Sequence, residues 1–114
     1  RYAPPPVYAR AGMLSFPAGS ALLPEDSEKL LAAVAEEMRA APTRRLQLRA
    51  YASGEVDSDR QARQLSLTRA LAVRERLTAL GVRSTRIDVR PLGLTAPPTD
   101  AERRDRVDLE YTSE

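Results

Sequence analysis

The chain of 114 residues contains neither cysteine nor histidine. Their absence excludes disulfides, the usual zinc sites, thiol nucleophiles and a Ser-His-Asp triad. Paired carboxylates such as Asp57 and Asp59 remain, but no neighbouring residue type indicates a reaction. We therefore predict a protein that is not an enzyme and that holds no metal and no cofactor.

The chain also has few aromatic side chains and a small net charge. Aromatics make up 4% of the chain, and 18 basic residues nearly balance 16 acidic ones. This balance gives no single-sign field of the kind that attracts nucleic acid, so we expect no nucleic-acid partner. No stretch approaches the roughly 18 apolar residues of a membrane span, so we expect no membrane insertion within this segment.

Proline is concentrated at the N-terminus, where residues 4–6 are all proline. This run predicts an extended linker over residues 1–11 and a single domain over residues 12–114. Hydrophobic residues, 42% of the chain, suffice for the core of one domain. The chain begins at Arg1 without Met, and we expect a signal peptide or an anchor upstream of it.

The first half of the domain predicts a strand, a helix and a strand. Residues 12–16 form a short apolar strand, and a repeat of apolar residues every four positions predicts a helix from Pro24 to near Ala41. Residues 45–52 alternate with a period of two, which places Tyr51 on the side facing water.

The second half predicts a helix and two strands. Ser58 and Gln61 have the spacing of a capping box at the helix start, and Gly81 is placed for a left-handed cap at its end. Residues 87–90 and 106–111 alternate as strands, with a loop over residues 92–105. We predict an α/β (α+β) sandwich, β-α-β-α-β-β, in which two helices cover one face of a four-stranded mixed sheet.

Arg69 lies on the apolar side of the second predicted helix. Leu65 and Val73, four residues away on either side, share its face. A buried unpaired charge is very costly, so the guanidinium must meet an anion or reach the edge of the layer. Two interpretations stay open: a structural salt bridge within the chain, or a contact with the carboxylate of a ligand.

Leu67 and Leu71 lie one turn apart on the opposite side of this helix, where polar residues are expected. Scattered exposed leucines are common and need no function. The pair could pack against the N-terminal segment or form a patch for a partner protein.

Several short segments of the sequence together form a recognisable family signature. The pieces are Leu65-Ser66-x-x-Arg69-Ala70-x-x-Val73, Gly81-Val82, Arg86-Ile87, Gly93, residues 14–24 and residues 106–109. In them the chain resembles the OmpA-like C-terminal domain family, of the peptidoglycan-associated lipoprotein and MotB type. The resemblance covers nearly the whole chain after the linker and implies the family's fold.

The resemblance also implies non-covalent binding of peptidoglycan. In the family, an Arg on the second helix and an Asp after the second strand hold the carboxylate and the amine of diaminopimelate in the stem peptide. Arg69 matches that arginine, whereas Ser53 stands in the place of the aspartate. The family's Asn-Arg-Arg before the last strand is Arg104-Asp105-Arg106 here and keeps only its second arginine.

The missing aspartate predicts weak or altered binding. A ligand ammonium needs an acidic partner, and losing a charge-assisted bond costs on the order of 1.5–3 kcal/mol, or about ten- to a hundredfold in affinity. Asp57 or Asp59 could replace the aspartate, or both could simply cap the helix. The ligand-binding residues that the resemblance implies are Arg69, Ser53, Tyr51, Asp57 and Arg106.

The function expected from these observations is that of a periplasmic domain in the cell envelope of a Gram-negative bacterium. It would associate with peptidoglycan and be tethered to a membrane, such as the outer membrane, through an upstream segment. The alternative is a degenerate module that has lost peptidoglycan binding and serves interaction with an envelope protein or homodimerisation. Leu67 and Leu71 are the candidate surface for that alternative.

Overall fold

Strands and helices follow one another in the predicted order in the computed structural model, which describes residues 7–54, 58–96 and 104–113. The elements are β1 (Val7–Ser15), α1 (Ser27–Ala40), β2 (Arg45–Tyr51), α2 (Asp59–Ala79), β3 (Ile87–Gly93) and β4 (Arg106–Ser113). A short 3-10 helix, Ser84–Arg86, precedes β3. Within the described ranges, neither α-helix combines the length and the apolar character needed to cross a bilayer.

The four strands form one mixed sheet in the order β1-β4-β2-β3. β2 and β3 are parallel, whereas β4 runs antiparallel to both of its neighbours, β1 and β2. The apolar faces of the central strands and the apolar stripes of both helices share one core. Its members include Leu31, Val34, Met38, Leu46, Leu48, Val73, Leu77, Val107 and Leu109. The predicted sheet with two helices is confirmed.

Two strands are longer than predicted. β1 begins at Val7, so residues 7–11 of the predicted linker belong to the sheet, where pairing with β4 supplies their backbone hydrogen bonds. Residues 1–6 of that linker lie outside the described residues. β3 continues to Gly93, beyond the predicted start of the loop. It tolerates Pro91 because β3 is an edge strand, which leaves one side of its backbone without a ladder partner.

The capping signals in the sequence predict some ends of the two helices better than others. α1 starts at Ser27 rather than at Pro24, whose carbonyl instead accepts the Ser27 N–H in a turn. α2 begins directly after its N-cap Ser58, as the capping-box pattern predicted, although Ser58 makes no side-chain cap hydrogen bond. Gly81 adopts the predicted positive φ, at 101°, and Val82 donates its N–H back to the carbonyl of Leu77 as in a Schellman motif.

Two arginines close the C-terminal ends of the helices. Arg39 of α1 donates to the carbonyl of Leu80 at the end of α2. Arg86 donates to three carbonyls at and just after the end of α1, those of Met38, Ala41 and Arg44. Because the last carbonyls of a helix lack partners within the helix, these bonds fix where both helices end against the sheet.

The outer face of the sheet carries the ion pairs Arg45–Asp88, Arg49–Glu110 and Arg106–Asp108. The first joins β2 to β3, and the second joins β2 to β4. Tyr51 is not exposed on this face, contrary to prediction: it keeps 4% of its surface, and the Arg106 guanidinium lies 4.5 Å from its ring centroid. A cation stacked on an aromatic ring explains why this tyrosine can turn away from water.

Candidate functional site

Arg69 is a completely buried arginine at the centre of the molecule. It lies on the face of α2 that also carries Ala62, Val73 and Leu77, and its side chain has no exposed surface. The Phe16 ring lies against it, with the guanidinium carbon 5.1 Å from the ring centroid. The helical pattern therefore predicted the burial of Arg69 correctly.

The Arg69 guanidinium makes hydrogen bonds to four acceptors of the chain. Nε donates to the carbonyl of Ser20 at 2.7 Å, and Nη2 donates to the carbonyl of Pro17 at 3.0 Å. Nη1 donates to the carbonyl of Tyr51 and to the carboxylate of Asp105, both at 2.9 Å. Arg69 thus joins α2 to the segment after β1, to the end of β2 and to the residue before β4.

These bonds bear on the first of the two interpretations left open by the sequence. The structural salt bridge is present, since Asp105 supplies the negative charge that a buried arginine requires. The Arg69 side chain has no exposed surface in this arrangement, and its contact with a ligand stays a prediction.

Asp105 is the acidic partner that sequence reasoning missed. Ser53 donates both its backbone N–H, at 3.0 Å, and its hydroxyl, at 2.7 Å, to the Asp105 carboxylate. The serine at position 53 thus bonds the carboxylate of a residue that immediately precedes β4. We call Ser53, Arg69 and Asp105 the Asp105 cluster.

The cluster holds Asp105 in its charged form. Burial alone raises the pKa of the Asp105 carboxyl. The hydrogen bonds from Ser53 and Arg69, together with the positive charge of Arg69, outweigh that effect, so the pKa is lowered below its ordinary value of 3.8. The carboxylate side chain keeps 19% of its surface exposed, so the cluster is partly open to water.

The strand register places Asp105 beside Ser53. In the antiparallel pair of β2 and β4, Tyr51 lies opposite Arg106, so the residue before β4 comes next to the residues that follow β2. The Asp105 carbonyl also accepts the backbone N–H of Phe16 at the end of β1. Three segments distant in sequence therefore meet at Asp105: Ser53 and Arg69 bond its carboxylate, and Phe16 bonds its backbone carbonyl.

Ser66 and Gly93 hold this end of α2 against the sheet. The Ser66 hydroxyl donates to the carbonyl of Arg63 and accepts the backbone N–H of Gly93. Gly93 has a φ of 58°, and a Cβ there would lie 3.2 Å from the Arg63 nitrogen, which is tighter than an ordinary contact. The serine and the glycine of the signature thus permit a close approach of helix and strand.

The remaining predicted site residues fall into different surroundings. Arg106 is 5% exposed and pairs with Asp108 on the outer face, with Tyr51 beneath its guanidinium. Asp59 lies in the first turn of α2 and pairs with Arg63 at 3.1 Å, an ordinary pair of exposed side chains one helical turn apart. Asp57 lies outside the described residues.

The predicted partner patch is small. Leu67 is 38% exposed, whereas Leu71 is half-buried. Among the described residues, the other large apolar side chain that is exposed is Leu22, at 81%. No group of three or more carboxylates within the described ranges could hold a metal ion.

Known structures share this arrangement of strands and helices. The peptidoglycan-associated lipoprotein from Burkholderia pseudomallei superposes with a TM-score of 0.73 at 22% identity, over 90% of each chain. The OmpA-like domain of FopA1 from Francisella tularensis gives a TM-score of 0.76 at 22% identity, over 95% of this chain and 73% of that one. The periplasmic domain of Helicobacter pylori MotB gives 0.69 at 18% identity, over 96% and 76%. At these sequence identities, the structural likeness shows only that the chain shares the fold of these proteins.

No curated protein matches the chain. A model of the OmpA family, in contrast, matches residues 15–108, which include both helices, β2, β3 and the whole Asp105 cluster. The chain belongs to the OmpA family.

Proposed function

We propose that this chain is a non-enzymatic periplasmic domain that associates non-covalently with peptidoglycan in a bacterial envelope. Membership of the OmpA family supports this function, as does the likeness to a peptidoglycan-associated lipoprotein and to a periplasmic domain of MotB. An upstream segment would tether the domain to a membrane.

The observation that carries the proposal is the partly exposed Asp105 carboxylate at the end of β2. It lies beside Ser53, the position at which the family resemblance places an aspartate, and it restores a negative charge there. A carboxylate held by a buried arginine and a serine is fixed in place before a ligand arrives, which lowers the entropic cost of binding.

Co-sedimentation with purified sacculi at low salt tests this function. We expect the chain to be retained by the sacculi, and we expect Asp105→Asn to weaken retention about tenfold, as for the loss of one charge-assisted bond. Asp88→Asn is the matched control, because Asp88 pairs with Arg45 on the outer face of the sheet and does not contact the Asp105 cluster. Absence of retention at low salt would contradict the proposed function, and equal retention of both variants would contradict the role of Asp105 in it.

The alternative, a module for protein interaction or dimerisation, depends on Leu67 and Leu71. The half-buried state of Leu71 leaves Leu67 as an isolated exposed leucine on that side of α2. Isolated exposed leucines are common on monomeric proteins, so this surface does not favour the alternative.

A further inference from the structure

We propose that the outer face of the sheet carries a further ligand site, which binds the carboxylate of a small organic acid. The site is a pocket of about 340 Å³ over β2, β3 and β4, on the face that neither helix covers. Its lining residues are Gln47, Arg49, Arg90, Leu92 and Glu110. None of them belongs to the Asp105 cluster, so this site does not depend on the function proposed above.

Gln47 is a buried polar residue whose side-chain amide has no hydrogen-bond partner among the described residues. It lies on β2, opposite Asp88 of β3 and Glu110 of β4, and keeps only 8% of its surface exposed. Every fully enclosed polar side-chain atom in the described ranges has a partner, so the Gln47 amide must reach open space, which the pocket supplies. Because nearly buried polar groups are normally paired, this amide indicates a ligand that bonds it.

Two arginines lie side by side at the same pocket. Arg49 of β2 and Arg90 of β3 are direct partners in the parallel ladder, so their side chains leave the sheet as neighbours. Like charges directly opposite each other destabilise a sheet. Glu110 pairs with Arg49 at 3.3 Å, whereas Arg90 has no ion pair and no hydrogen bond among the described residues. An anion bound at Arg90 would remove the repulsion between the two cations.

Two acidic side chains share this part of the face, and both are already engaged. Asp88 bonds Arg45 through both of its carboxylate oxygens, at 2.7 and 3.3 Å, and Glu110 bonds Arg49. The lining of the pocket therefore contains two cations and one anion, a net charge of +1. A singly charged anion balances this charge, whereas a doubly charged phosphate monoester would bring excess negative charge next to Glu110.

The lining residues match a carboxylate in geometry as well as in charge. The planar guanidinium of Arg90 can donate two parallel N–H bonds to a carboxylate, and the Gln47 NH₂ group can donate a third. Leu92, which is half-buried, offers an apolar wall to the substituent beside the carboxylate. Ligand pockets span roughly 300–1,000 Å³, so a volume at the lower end suits a small acid with an apolar side group.

An NMR titration of the labelled full chain with N-acetyl-leucine, a small acid of this kind, tests the site. The spectra follow the side-chain NH₂ of Gln47 and the Nε–H of Arg90. We expect both signals to shift and to saturate together. N-acetyl-leucinamide, which has the same shape without the charge, should bind about ten- to a hundredfold more weakly, as for the loss of a charge-assisted bond.

Variants of the lining residues test which groups hold the acid. Arg90→Met should weaken binding of N-acetyl-leucine about ten- to a hundredfold, and Gln47→Leu, which removes an uncharged donor, about two- to tenfold. Arg83→Met is the matched control, because it removes the same charge from an exposed arginine outside the pocket. We expect it to change the affinity less than about twofold, since distant exposed charges are screened. Circular dichroism shows that each variant is folded before affinities are compared.

Three results would overturn the site. The first is the absence of saturable shifts at Gln47 and Arg90. The second is equal binding of the acid and its amide, or equal weakening by Arg90→Met and Arg83→Met, because the pocket would then not recognise the carboxylate. The third is tighter binding of inorganic phosphate than of N-acetyl-leucine, which would overturn the choice of a carboxylate. Retention by sacculi is a separate measurement, so failure of this site leaves the proposed function unchanged.

Discussion

The guanidinium of Arg69 lies 2.9 Å from the carboxylate of Asp105, and this ion pair joins the middle of α2 to the residue that precedes β4. Three carbonyls and the ring of Phe16 complete the surroundings of the guanidinium. Arg69 is completely buried and stabilises the fold, whereas Asp105 is partly exposed and is the group that we propose faces a ligand. The following predictions separate these two roles.

Removing the charge of Asp105 should destabilise the fold. Asp105→Asn leaves the buried Arg69 without its anion, and breaking a buried pair from one side costs about 3–5 kcal/mol. We expect a loss near the lower limit, because Asp105 is partly exposed and the carbonyls of Pro17, Ser20 and Tyr51 still bond Arg69. Urea denaturation at neutral pH measures the change in the free energy of unfolding. A loss below about 1 kcal/mol, typical of an exposed pair, would contradict the structural role of this ion pair.

A double-mutant cycle should show that Arg69 and Asp105 are coupled. We expect Arg69→Met to be as destabilising as Asp105→Asn or more so, since it leaves three carbonyls without a donor. The double variant should be more stable than the sum of the single losses by about 1–3 kcal/mol, because each substitution removes the partner that the other one needs. Additive losses would show that the two side chains do not act as a pair.

The stabilisation by Asp105 should disappear in acid. The folded-state pKa of this carboxyl lies below its ordinary value of 3.8, so the unfolded chain binds the proton first as the pH falls. The stability advantage of the wild type over Asp105→Asn should therefore be complete above about pH 5 and decline as the pH falls through the folded-state pKa. Arg76 also lowers the pKa of Glu28, chiefly through a hydrogen bond, but both variants contain that pair, so its effect cancels in the difference. Denaturation of both variants between pH 2 and pH 7 measures this difference, and one that is independent of pH would contradict the lowered pKa.

Arg86, which immediately precedes β3, should matter more for stability than an exposed arginine within that strand. Arg86→Met removes the donors for the carbonyls of Met38, Ala41 and Arg44, at a cost of about 1–3 kcal/mol. Arg90→Met is the matched control: Arg90 is exposed on β3, and such surface changes stay within about 0.5 kcal/mol. Thermal unfolding followed by circular dichroism compares the two variants, and equal midpoints would show that Arg86 does not hold the end of α1.

Gly81 should resist replacement because of its backbone and not because of its surroundings. Its φ is 101°, whereas a Cβ there would meet the Arg39 side chain only at an ordinary 3.6 Å. We expect Gly81→Ala to cost about 1–3 kcal/mol through backbone strain. Gly81→Asn should cost less, since asparagine tolerates positive φ better than alanine. Equal losses for the two variants in urea denaturation would count against a strained cap.

The sequence was a good guide to the elements and to the buried face of α2. Periodicity identified both helices and the core side of β2, and the wheel position of Arg69 predicted its burial. The end of α2 was also predictable, because Gly81 and Val82 have the local spacing of a Schellman motif. All of these features depend on residues that are close together along the chain.

Asp105, the acidic residue of the site, could not be predicted from local sequence patterns. Alternation shows that residues 45–51 and 106–113 are strands, but it does not show that β4 lies between β1 and β2. Only this order and the register of Tyr51 with Arg106 bring Asp105 to Ser53. For the same reason β1 was predicted too short, since its first residues are held by pairing with β4 rather than by a local pattern.

The most direct measurement of the roles of Arg69 and Asp105 is an NMR titration of the labelled chain with a tetrapeptide that contains diaminopimelate. The spectra follow the Arg69 Nε–H, which bonds the Ser20 carbonyl, and the Ser53 backbone N–H, which bonds Asp105. We expect the Ser53 signal to shift on binding, while the Arg69 Nε–H keeps its position and its slow exchange with water. A shift or a loss of exchange protection at Arg69, with Ser53 unchanged, would show that the arginine itself binds the ligand and would contradict the assignment of Asp105 as the binding group.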